Sequence, residues 1–221
     1  MARRRSATKK GRRKPHHAII HEEFPILNRG DRVPDDLAKA VGYTLTLWEQ
    51  VDEYLAMIFG LLVQSKHSAA EAAYGTINGF GQRCSMIREA AKKALPPPSA
   101  LLTDLMSTLA DIEALSAKRN NVAHGIISQY LVHWKTSDRK PRPKASGFFL
   151  VPPRYNTRKQ ISPDKVTELF RTHPDAMQKH RAYAYTSKQV MRFHRVLRLY
   201  LTKCHQLYVA IGAEISARGT P

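Results

Sequence analysis

"AKRNNVAHGIISQYLVHW", residues 117–134, marks the point where one periodicity stops and another begins. Upstream, Leu102, Leu105, Leu109, Ile112 and Leu115 recur at steps of three or four, the spacing that gathers side chains on one face of a helix. Ser99 stands where an N-cap is needed, directly after "PPP". Downstream, 126–134 and "GFFLV" at 147–151 are rich in β-branched and aromatic residues, and the basic loop "KTSDRKPRPKAS" separates them. The switch predicts a helix ending near His124, followed by a β-hairpin with a long connection.

The flanks supply the other helices. From Asp36 to Gln64, Leu37, Val41, Leu45, Trp48, Val51, Leu55, Ile58 and Leu62 form a stripe, with Pro34 and Asp35 marking its start. A second helix opens at Ser68, with Glu71 placed to complete a capping box, and runs to about Leu95. Gly75, Gly79 and Gly81 fall inside it. They lack the strand-to-helix setting of a phosphate-binding loop, so they predict close packing or a kink. The last helix opens at Thr186, where Gln189 fits a second capping box, and carries Val190, Phe193, Leu197, Tyr200, Cys204, Leu207 and Ile211 on its apolar face. Arg192, Arg195 and Arg198 lie off that face. A short helix is predicted from Ser162 and Pro163. The expected fold is mainly α: a four-helix up-down bundle with a β-hairpin inserted before the last long helix. Residues 1–34 are a basic tail, expected to be disordered, and its lead-in. Residues 35–215 form one domain in which 126–182 are the hairpin and a basic insertion.

A net charge of +18 over 221 residues speaks to partners more than to fold. Residues 1–17 carry eight basic and no acidic side chains, residues 36–134 eight and nine, and residues 135–205 seventeen and four. Two basic segments flank a near-neutral helical half, a pattern suited to a polyanion. Cys84 and Cys204 have no short-spaced partner, so neither a disulfide framework nor a zinc pattern is present. No apolar run reaches the ~18–20 residues of a membrane span, and the N-terminus lacks the apolar core of a secretory signal. The expectation is a cytoplasmic protein of a reducing compartment, with no membrane association, no metal and no cofactor. His17 and His21 are four apart in the tail and read as solvated histidines.

The opening stretch has two readings. As a helix end it is ordinary chemistry: Gly125 can take a left-handed C′ position, and cations near a C-terminus complement the helix dipole. As a site, Asn120 and His124 are four apart on one helix face, and Arg119 lies roughly 140° round from His124 but carries a long side chain. An imidazole, a guanidinium and an amide suffice to cleave RNA without a metal. The ribose 2′-OH is the nucleophile, histidine moves protons, and arginine stabilises charge on phosphorus. One helix offers one histidine, whereas acid and base together ask for two. A symmetric dimer through the ends of this helix would supply both.

"RNNVAH" resembles the R-x4–6-H motif of HEPN domains, including the polar residue after the arginine. The long amphipathic helix before it, the glycine after it, the four-helix core, the second helix "YGTINGFGQRCSMIREAAKKAL" and a final helix opening near "YTSKQ" are similar to bacterial HEPN-like proteins over roughly residues 36–211. The resemblance implies a metal-independent endoribonuclease acting as a homodimer, with Arg119 and His124 catalytic and Asn120 supportive. It also implies roles as a toxin, in phage defence or in stress responses, in some members beside a nucleotidyltransferase antitoxin. Other members keep the fold and bind nucleic acid, nucleotides or proteins without cutting.

RNA contacts are expected from Arg139, Lys140, Arg142 and Lys144 in the hairpin loop and from Arg154, Arg158 and Lys159 beyond it. Cations do not distinguish sugars, so DNA stays open as a partner. Tyr183 and Tyr185 are candidates for base stacking, whereas Tyr200 belongs to the apolar stripe. His133 with Trp134 reads as a strand end, and His205 as a helix-surface or partly buried residue.

Overall fold

The computed structural model describes residues 29–65, 67–95, 97–134, 142–152 and 184–219. Among them lie five helices, α1 Pro34–Leu62, α2 His67–Gly75, α3 Phe80–Ala94, α4 Ala100–Ala123 and α5 Ser187–Ala217, and two strands, β1 Ile126–Trp134 and β2 Arg142–Val151. The chain is mainly helical, with an antiparallel hairpin before the last helix.

The two longest apolar stripes form the two longest helices, and these pack on each other most extensively. Helix α1 also touches α2, α3, α4 and both strands, which makes it the central element. That position explains a buried arc wider than the sequence stripe: Leu37, Val51, Leu55 and Ile58 are closed to solvent, and Ala40, Thr44, Leu47, Ala56 and Phe59 are buried as well. Each large side chain so enclosed contributes roughly 1.5–3 kcal/mol. From α5, Val190, Phe193, Leu197, Tyr200, Cys204, Leu207 and Ile211 all enter the core, as the periodicity predicts.

The second helix departs from expectation, because it breaks instead of kinking. Ile77 N–H bonds back to the Tyr74 carbonyl at 3.2 Å and closes α2, and extended Gly79 caps α3. A buried ion cluster holds the break. Asp52 of α1 accepts from the Tyr74 hydroxyl at 2.5 Å and from the Arg83 guanidinium, and Arg83 Nε donates to the Ile77 carbonyl at 2.8 Å. Three elements meet on one carboxylate, and burial followed by the adjacent Asp52 charge raises the Tyr74 pKa. The capping function expected of Ser68 falls on a side chain outside the described residues.

Both other predicted caps form. Ser99 Oγ accepts from Leu102 N at 3.1 Å. Thr186 and Gln189 make a reciprocal capping box at the start of α5. A third contact there was not legible in the sequence: Asp31 accepts from Ser187 N and Ser187 Oγ, both at 2.6 Å.

Asp31 also extends the sheet. On one edge β2 pairs with β1, with Gln129 opposite Phe148 and Ile127 opposite Leu150. On the other edge Phe148 bridges Asp31, and Leu150 bridges Tyr185. Gly147, at φ +132°, lies back to back with Gly30, where a Cβ on either residue would meet backbone within 2.8 Å. Strand β2 starts at Arg142, earlier than the apolar run at 147 predicts, and a register irregularity falls between Val132 and His133.

Candidate active site at the end of the fourth helix

Helix α4 ends as the sequence predicts, but by a different device. His124 is itself the C-cap, at φ −105° and ψ 6°, with its N–H on the Asn120 carbonyl at 3.0 Å. Gly125 is not left-handed, since the positive-φ glycines are Gly147 and Gly219. Its lack of a side chain serves close approach: a Cβ there would stand 2.6 Å from Leu150 Cγ, 2.8 Å from Leu150 Cδ1 and 2.9 Å from the Asn121 carbonyl oxygen. Strand β2 thus crosses the helix end at near-minimum distance, and the turn carrying His124 is clamped from behind.

Arg119 does not serve the helix C-terminus. Its guanidinium reaches sideways to α1, where Nη2 pairs with Glu49 Oε1 at 2.9 Å and the group lies 5.9 Å from the Trp48 ring centroid. Trp48 in turn packs against Phe80 at 4.8 Å between ring centroids. Nη1 donates to Asn120 Oδ1 at 3.3 Å, which joins the first two motif residues. Arg119 Nε is buried with no partner among the described residues. An unmet buried donor costs about 1–3 kcal/mol, and native structures keep few of them.

Asn120 and His124 are both exposed, one turn apart, and the His124 imidazole takes no hydrogen bond from another described residue. Asn121 faces the other way, where its amide donates to the Tyr185 hydroxyl at 3.5 Å and links the end of α4 to the lead into α5. The Lys118 ammonium lies 5.9 Å from the Phe193 ring of α5. The last two turns of α4 are therefore fixed by α1 on one side and by α5 and β2 on the other, while His124 opens to solvent.

The remaining candidates separate. Arg142 and Lys144, expected in the loop, belong to the backbone of β2. Arg139, Lys140, Arg154, Arg158, Lys159, Tyr183, His17, His21 and the predicted 162–170 helix lie outside the described residues. Tyr185 is half-buried and committed to Leu150 and Asn121, and Tyr200 is in the core, where burial and then the Asp111 carboxylate raise its pKa. His205 is exposed and meets the Tyr54 ring edge-on at 5.6 Å. His194 is half-buried, its pKa lowered by burial and by Arg198. Burial pushes both thiols, Cys84 and Cys204, up to about 12. Among the described residues no three His, Cys, Asp or Glu side chains converge as a metal site would require, and no helix is long and apolar enough to cross a membrane.

Sequence reading missed Glu49. It lies 70 positions from Arg119, and nothing local to either residue signals the pairing. No family model, curated protein or solved structure matches the chain.

Proposed function

We propose that this chain is a HEPN-type endoribonuclease that cleaves RNA without a metal ion, its helices arranged as a four-helix up-down bundle and two copies meeting at the α4 ends. The observation that carries the reading is the last turn of α4: an exposed His124 on a clamped helix end, one turn from Asn120, with Arg119 drawn up against Asn120. In the reaction, one imidazole takes the proton of the ribose 2′-OH. The 2′-oxygen bonds to phosphorus, and the bond from phosphorus to the 5′-oxygen breaks. A second imidazole, from His124 of the partner subunit, protonates the leaving oxygen. Products end in a 2′,3′-cyclic phosphate and a 5′-hydroxyl.

Arg119 stabilises the charge that builds on the phosphoryl oxygens. Its present arrangement supports that role, because the Glu49 partner of the guanidinium has a side chain 62% exposed. An exposed ion pair is worth about 0–1 kcal/mol, so a phosphate displaces it at small cost. On this reading the protein works in the cytoplasm on RNA, as a toxin restrained by an antitoxin or as a defence or stress factor. The same Arg119–Glu49 pair also favours a second reading, a non-catalytic nucleic-acid or protein-binding module in which Arg119 is a tie between helices. His124→Ala separates the two. The ribonuclease loses cleavage while keeping its fold and RNA affinity, whereas full cleavage by the variant refutes the assignment of His124.

A further inference from the structure

The outer face of α5 carries a second feature that the candidate active site does not use. Lys188, Arg192, Arg195 and Arg198 are all exposed, and they follow one another at steps of four, three and three along one side of the helix. The described first half of α5 contains no acidic residue; the helix's one acid, Glu214, lies near the opposite end and pairs with Arg218. Ten residues at about 1.5 Å rise per residue spread the four charges over roughly 15 Å.

This arrangement breaks two local rules. Cations at the start of a helix oppose its dipole, and like charges three or four apart repel. Lys188 sits in the first turn, which has no acid of its own and is met from outside the helix by the Asp31 carboxylate on Ser187. The start of α5 lies near the end of α4, where Tyr185 bonds to Asn121, while Lys118 of α4 lies over Phe193 on the opposite, buried side of α5. Leu199, 60% exposed, continues the same side as an apolar contact among the cations.

We propose that this face of α5 binds the sugar–phosphate backbone of single-stranded RNA. Spaced cations bind the repeating charge of a backbone, whatever the base sequence. The proposal requires that the chain bind RNA. It does not require that it cut.

The test measures binding of fluorescein-labelled oligouridine by the full chain as a function of salt. One variant carries Lys188, Arg192, Arg195 and Arg198 all as Gln. A charge-matched control carries Lys39, Lys92, Lys93 and Arg218 as Gln. Each phosphate contact on a single strand contributes about 0.7 to the slope of log K against log salt, so four lost contacts lower the slope by about 3 and the affinity on the order of 100-fold at ~0.15 M salt. The α5 variant is expected to show that loss with an undiminished melting temperature, because removing like charges relieves repulsion, while the control binds within a few-fold of wild type. An α5 variant that binds like wild type, or a control that loses as much, overturns the proposal. So does an α5 variant whose only loss is on phosphatidylserine vesicles. Cleavage is scored separately. Lost binding in the α5 variant of a chain that never cuts leaves this proposal standing and removes the ribonuclease; unchanged binding in a chain that His124→Ala inactivates does the reverse.

Discussion

Gly125→Ala tests how the candidate site is held. The added Cβ would stand 2.6 Å from Leu150 Cγ and 2.8 Å from Cδ1, where carbon pairs prefer about 3.5–4.0 Å, so something must move by about 1 Å. Leu150 has little room. It is 1% exposed and its backbone is paired to Ile127 on one side and Tyr185 on the other. Overpacking of this kind costs about 1–3 kcal/mol. Urea denaturation at 25 °C should show that loss as a lower midpoint with an unchanged slope. The decisive comparison is with Leu150→Ala, which on its own leaves a cavity and costs about 2–5 kcal/mol. In the double variant the smaller side chain makes room for the Cβ, so the two losses should fall short of their sum by about 1 kcal/mol, and the clash with the Asn121 carbonyl should persist. Strict additivity, or a Gly125→Ala change within about 0.5 kcal/mol of zero, would refute the close-approach account of the helix end.

Three further outcomes are expected. Asp52→Ala leaves the Arg83 guanidinium without its partner and removes the acceptor of Tyr74, which should cost about 3–5 kcal/mol, against about 0.5–1.5 kcal/mol for Tyr74→Phe; equal and small losses in denaturant midpoints would contradict the three-way tie. Glu49→Gln frees Arg119 from an exposed competitor, so RNA affinity measured by fluorescence anisotropy should rise, by no more than about fivefold for a pair worth ~1 kcal/mol, and a drop would mean that the pair supports binding. Stability should fall in alkali. Tyr74, Tyr200, Cys84 and Cys204 all have raised pKa values in the fold, so the unfolded chain loses its protons first, and the stabilisation present below pH 9 is withdrawn as pH rises from 9 towards 12. The slope approaches about 1.4 kcal/mol per pH unit for each group, and a melting temperature that stays level from pH 8 to 11 would contradict that burial.

Local chemistry was legible in the sequence. Ser99 and the Thr186–Gln189 box act on residues three positions away, so their sequence context contains the whole interaction. The stripes of α1 and α5 were legible for the same reason, although α1 buries more than its stripe because four other helices surround it. What failed was long-range. Asp31 caps a helix 156 positions later, Asp52 joins Tyr74 and Arg83 across a break that three glycines only hinted at, and Glu49 reaches Arg119 from another helix. At Gly125 the sequence points to the right residue through a dihedral argument that the structure does not follow. A glycine after a helix suggests a left-handed cap, and only the position of Leu150 reveals that space, not dihedral freedom, is what the site requires. The early start of β2 is hidden because strand pairing is a backbone property, and the run from Arg142 to Ser146 has no β-branched or aromatic residue to announce it.

The most direct test of the central claim is cleavage of a labelled structured RNA by the purified full chain in EDTA, run beside His124→Ala and beside the same RNA with deoxyribose at the cut site. The account predicts fragments with 2′,3′-cyclic phosphate ends from the wild type on the all-ribose strand, and none in the other two lanes. Fragments that persist with His124→Ala, or at deoxyribose, would contradict it, as would intact RNA in every lane despite measured binding.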